Sequence, residues 1–197
     1  MRKWLIPVGI IVVLLLLAVS SYNGLVNVEA DTKTAWSKVE SAYQRRNDLI
    51  DNLVSTVKES ANFEKSTLEA VINARAKATS ISIDPTNVTP EQLAQFQQAK
   101  SSEMSSLSRL LVSFEKYPEL KTTDAFKELQ SQIEGTENRI NVERDRFNDA
   151  ANLYDKKIRS FPSVIFAKLF GFNEIARFKA DSGAEKKPNV GESFRKK

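Results

Sequence analysis

Residues 28–57, VEADTKTAWSKVESAYQRRNDLIDNLVSTV, decide the fold class. Val28, Ala35, Val39, Ala42, Leu49, Leu53 and Val57 recur at spacings of three, four and seven. A half-buried strand would alternate in twos, so this is one face of an α-helix. A second row, Trp36, Tyr43 and Ile50, widens the stripe and predicts a helix that faces two neighbours. The period continues through Ala61, Leu68, Val71 and Ala78, which carries the predicted helix to about Thr79. Residues 80–89, SISIDPTNVT, lose the period, are rich in turn formers and read as a loop.

Working back from this seam, residues 5–19, LIPVGIIVVLLLLAV, are apolar throughout, with Arg2 and Lys3 before them and Trp4 and Tyr22 at the two edges. From Trp4 to Tyr22 a helix rises ~27 Å, close to the ~30 Å of bilayer hydrocarbon, and aromatic residues favour the two interfaces. The segment reads as a membrane anchor, and a cleaved signal peptide is the alternative because Ala18, Val19 and Ser20 offer small residues for cleavage. In either case the positive-inside rule leaves Arg2 and Lys3 in the cytoplasm and the body outside it.

Towards the C-terminus, Thr89-Pro90-Glu91-Gln92 combines an N-cap, a proline in the first turn and a Gln three residues after the cap. A second helix follows over residues 90–116, with Leu93, Phe96, Leu107, Leu110, Leu111 and Phe114 on one face, up to Tyr117-Pro118. Thr123 caps a third, whose seam runs Phe126, Leu129, Ile133, Ile140, Phe147, Ala151, Tyr154, Ile158 and Phe161. The expected fold is all-α: a single N-terminal transmembrane helix, an antiparallel bundle of three long helices, and a short C-terminal helix. The domains are an anchor over residues 1–21, a helical body over 22–172 and a disordered polar tail over 173–197. Residues 161–172, FPSVIFAKLFGF, form the short helix, either packed on the bundle end or exposing Val164, Phe166, Phe170 and Phe172 as a docking surface.

Composition removes much chemistry. With no His and no Cys in 197 residues there is no imidazole base, thiolate nucleophile, disulfide or ordinary zinc site. Six scattered Gly make no phosphate cradle, no EF-hand loop is present, and no metal or other cofactor is expected. The 29 Lys and Arg against 25 Asp and Glu leave a surplus that sits at the two ends, so nucleic acid is not an expected partner. Arg46, Glu64 and Arg75 fall on the first seam, and Arg144 on the third, near Glu137. They form a candidate polar seam, read either as ion pairs that fix helix register or as a functional groove.

The chain resembles the LemA family of bacterial membrane proteins over nearly its full length. The resemblance rests on Tyr22-Asn23 and Leu25-Val26, on Trp36 followed by QRRNDLI at 44–50 and Asn52-Leu53-Val54, and on Glu64 and Arg75. It continues through EKYPELK at 115–121, EGTENRI at 134–140, Arg144, Phe147-Asn148 and Phe161-Pro162. The family pattern has Pro where this chain has Asp51, which implies a straighter helix here, and Asn where it has Asp155.

The resemblance implies a single-pass protein with a helical bundle and no known catalytic residues, some relatives being linked to building specialised membrane compartments. The expected function is a non-enzymatic scaffold or adaptor in the inner or plasma membrane, with the bundle periplasmic or extracellular. The bilayer and a protein partner or second copy are its expected contacts. The alternative is an extracytoplasmic sensor whose bundle binds a ligand and modulates a membrane partner.

Overall fold

The computed structural model describes residues 2–58, 64–121 and 123–179, which are largely helical and contain no strand. The helices are α1 (Arg2–Lys58), α2 (Lys65–Thr79), α3 (Pro90–Ser113), α4 (Pro118–Lys121), α5 (Asp124–Arg159) and α6 (Ser163–Phe170), with a 3-10 turn at Phe114–Lys116. The apolar segment and the body seam share α1, 57 residues without a break, or ~85 Å of helix at ~1.5 Å per residue. Residues 4–17 are exposed, and this helix is long and apolar enough to cross a membrane.

The predicted single helix to Thr79 is corrected: α1 ends at Lys58, Lys65–Thr79 forms α2, and residue 61 of the expected seam lies outside the described residues. In place of three long helices there are two pairs, α1 packed on α5 and α2 on α3. The first pair is antiparallel, with Gly24 beside Lys157 and Arg45 bonded to Gln132 at 3.0 Å. Leu68, Val71 and Ala78 are buried as the periodicity requires, but on α2. A periodic pattern specifies which face is covered and leaves open which helix covers it.

The predicted caps are present. Thr89 and Gln92 form a reciprocal capping box, with Gln92 N donating to Thr89 Oγ1 at 3.2 Å and Thr89 N to Gln92 Oε1 at 2.9 Å, a device that contributes ~1 kcal/mol to a helix start. Thr123 accepts from Phe126 N at the start of α5.

Two apolar cores result. The first gathers Leu25, Trp36, Val39, Tyr43, Phe96, Phe147, Tyr154 and Ile158 around a cluster of rings. The second gathers Leu49, Leu53, Val57, Leu68, Leu107, Leu110, Phe114 and Ile133 towards the α4 end. Between them along α1 lie the buried side chains of Arg46 and Asn47.

The boundary drawn at residue 173 is also corrected. Ile175 and Phe178 are buried, and the extended segment 173–179 is strapped onto α5; residues 180–197 of the expected tail lie outside the described residues. Asn148 acts as a backbone surrogate, accepting from Phe178 N at 2.9 Å and donating to Phe178 O at 3.0 Å. Asp155 accepts from Ile175 N at 3.2 Å. The Phe178 ring stacks on Trp36, 5.7 Å between centroids and 11° from parallel. Composition hides this segment because only two of its residues are buried, and their partners lie on α1, α3 and α5.

Candidate functional site

The layer between the two cores is built around Arg46. Its guanidinium donates to Glu103 of α3 at 3.1 Å and to Glu137 of α5 at 2.8 Å, so one side chain of α1 joins three helices. Arg46 and Glu103 are buried, whereas Glu137 is about one-third exposed. Lys100, one turn before Glu103 and also buried, brings a second cation to within 3.6 Å of the same carboxylate. Its ammonium lies 5.0 Å from the Tyr43 ring centroid, and the Arg46 guanidinium lies at the same distance.

Burial sets the electrostatics here. It holds the Lys100 ammonium below the usual lysine pKa, and the neighbouring Glu103 carboxylate offsets part of the fall. It raises the Tyr43 phenol above its ordinary value against the opposing pull of Arg144 and Arg46. Arg46 Nε and Glu103 Oε1 are buried without a hydrogen-bond partner among the described residues. The network is therefore strong in charge and incomplete in hydrogen bonds.

The predicted seam residues divide. Arg46 and Glu137 meet. Arg75 pairs instead with Asp51 at 2.6 Å, tying α2 back to α1. Asp51 thus supplies an ion pair between α1 and α2. Glu64 is exposed, precedes α2 and accepts from Ser66 at 3.1 Å, away from any seam. Its helical spacing is an accident of counting through the break between α1 and α2. Arg144 lies 4.8 Å over the Phe178 ring and donates to the Lys179 carbonyl at 3.3 Å, so it clamps the strapped segment.

Sequence reasoning missed Glu103 and Lys100. The signal was present: Leu93, Phe96, Lys100, Glu103, Leu107, Leu110 and Phe114 form an unbroken three-four seam once the two charged residues are counted. Reading only apolar positions left a gap between Phe96 and Leu107.

Beside this layer runs a groove of about 190 Å³ whose lining includes Tyr43, Arg46, Lys100, Arg144, Gln97 and Glu137. Arg46, Lys100 and Arg144 face the two carboxylates of Glu103 and Glu137, a surplus of one positive charge that suits a small anion or an acidic side chain of a partner. Ser105 and Ser108, also on this wall, donate their hydroxyls to carbonyls of their own helix.

The predicted docking surface is corrected in its facing. Phe166 and Phe172 pack against the first core, and Val164 is only partly exposed. Of the four, Phe170 alone is exposed, and it lies edge-on to Tyr22 of α1 at 5.0 Å. The outward residues of α6 are instead Ile165 and Leu169, because Ser163 and Ala167 occupy the opposite, buried side, and Phe161 is exposed in the turn before the helix.

The family model described as "LemA family" matches residues 35–191. "Magnetosome protein MamQ 1" of Paramagnetospirillum magneticum is 26% identical over 174 residues, spanning 80% of this chain and 64% of that protein. "Magnetosome protein MamQ" of Magnetospirillum gryphiswaldense is 25% identical over 174 residues, with the same coverage. "Protein LemA" of Metamycoplasma hominis is 26% identical over 158 residues, spanning 80% of this chain and 68% of that protein. The chain thus spans about 64% of the length of the magnetosome relatives it matches.

Proposed function

The chain belongs to the LemA family, and from that premise we propose that it is a membrane-anchored, non-catalytic scaffold or adaptor of the bacterial cell envelope. One observation carries the reading: the apolar segment and the body seam are a single helix, α1. A body joined to its anchor without a hinge is held at a fixed height and tilt, as a platform for assembly requires. The N-terminus is cytoplasmic and the body lies on the other face of the inner or plasma membrane. Arg46 and Lys100 together balance the carboxylates of Glu103 and Glu137, and this network fixes how α1, α3 and α5 meet. Two relatives are named magnetosome proteins and one Protein LemA, which fits a membrane-associated role.

The test is expression of the full chain in bacteria with a photo-crosslinking residue at Leu153 or Val112, both well exposed on the body. The chain should remain with the membrane pellet after an alkaline wash and yield discrete crosslinked complexes. Release from the pellet would remove the anchor, and an absence of complexes from both positions would remove the scaffold.

The groove beside Arg46, Lys100 and Arg144 favours a second reading, a sensor for a small anionic ligand. That reading requires the melting temperature to rise with inorganic phosphate or a dicarboxylate and the rise to vanish in Lys100→Met.

A further inference from the structure

α5 runs antiparallel to α1 and ends opposite the exit of the apolar segment, since Lys157 lies against Gly24. The chain then turns at residues 160–162 and lays α6 across α1, where Ser21 is buried, Ala18 is partly covered, and Tyr22 meets both Phe170 and Phe172. Segment 173–179 leaves in the opposite direction, back along α5 to Asp155 and then Asn148. α6 is therefore the part of the body nearest the apolar segment, level with residues 18–22 of α1. Measured from Trp4, those residues stand ~21–27 Å along the helix, at the far edge of a ~30 Å hydrocarbon layer.

At that level α6 turns large apolar side chains away from the body. Leu169 is 73% exposed and Ile165 56%, one turn apart on one face with Lys168 beside them, and Phe161, in the turn just before the helix, is 81% exposed. The face is continuous with the exposed apolar surface of α1 itself, through Phe170 and Tyr22. An isolated apolar helix face on a soluble body would await a protein, but one level with a membrane exit meets lipid first. Lys156 and Lys168 are exposed nearby and complement anionic headgroups.

We propose that α6 is an interfacial helix, seating Phe161, Ile165 and Leu169 at the boundary between headgroups and acyl chains beside the exit of α1. The inference rests on the anchor reading of α1. Together the two helices give the body a second point of contact with the bilayer, which fixes its rotation about α1 as well as its height.

The test uses the full chain, which has no native Cys, in bilayers of phosphatidylcholine and phosphatidylglycerol. Single-cysteine variants Ile165→Cys, Leu169→Cys, Val12→Cys and Leu153→Cys carry an environment-sensitive nitrobenzoxadiazole label. The label at 165 and 169 should be blue-shifted, protected from iodide and quenched by shallow lipid nitroxides, with Val12 quenched by deep ones and Leu153 open to iodide. If Val12 is deep while 165 and 169 behave like Leu153, the inference fails and the anchor stands. If 165 and 169 are protected from iodide yet untouched by lipid nitroxides, a second copy covers the face and the inference also fails. If Val12 is itself open to iodide, the anchor fails and takes the inference with it.

Discussion

The Arg46 guanidinium donates to the Glu103 carboxylate at 3.1 Å, with the arginine side chain 2% exposed and the glutamate 0%. Neither group has bulk water to fall back on. Arg46→Met leaves Glu103 fully buried with Lys100 as its remaining cation, and should cost ~3–5 kcal/mol, the usual penalty for stranding one partner of a buried pair. The triple variant Arg46→Met/Glu103→Leu/Lys100→Met should recover most of that loss, because it leaves no buried charge stranded and Glu137 can hydrate. Urea unfolding of the purified chain in detergent, followed by circular dichroism, measures both. A triple variant as unstable as the sum of the three singles would show that the buried charges are not the source of the cost.

Asn148 and Phe178 make a separate case. Asn148→Ala removes both hydrogen bonds to the strapped backbone and should cost ~1–3 kcal/mol. Phe178→Ala removes the ring stacked on Trp36 and should cost ~3–5 kcal/mol. Both variants should speed proteolysis within residues 173–179, and Phe178→Ala should red-shift Trp36 fluorescence. Trp4→Phe in the background isolates that signal.

Tyr154 predicts how the body responds to alkali. Burial, with smaller contributions from Glu29 and Asp155, pushes its hydroxyl from 10.0 up to about 12. Between those values the unfolded chain gives up the proton first, so the native state holds more protons and stability falls as pH rises through that window. Lys100 has the opposite sign, since its lowered pKa makes stability rise with pH until the unfolded lysine also deprotonates near 10.5. Tyr154→Phe should therefore flatten the alkaline fall and leave the rise below it unchanged. Urea midpoints across the range will show this, and curves that stay parallel would refute it.

Two glycines should respond in opposite directions. At Gly24 an added Cβ would meet only the flexible end of Lys157, at 3.1 Å. Gly24→Ala should be neutral or stabilise by up to ~1 kcal/mol through helix propensity. Gly171 closes α6 at φ 78°, and Gly171→Ala should cost ~1–2 kcal/mol because Cβ clashes in the left-handed region. Thermal melts of the two variants should move apart.

The sequence by itself determined the helical class, the starts of α3 and α5, and the apolar segment at the head of α1. These are local properties: a period of 3.6, a side chain reaching its own backbone three residues on, a run with no charge. It also placed Arg46 on a seam. Only the tertiary structure decided that the long first stripe divides between α1 on α5 and α2 on α3, because burial periodicity is blind to the identity of the covering helix. Only the structure showed Glu103 and Lys100 as buried, since a charge reads as solvated until its partner, here more than fifty residues away, is known. The strap over residues 173–179 was hidden for the same reason: two apolar residues carry no period, and the pockets that hold Ile175 and Phe178 exist only after α1, α3 and α5 have met.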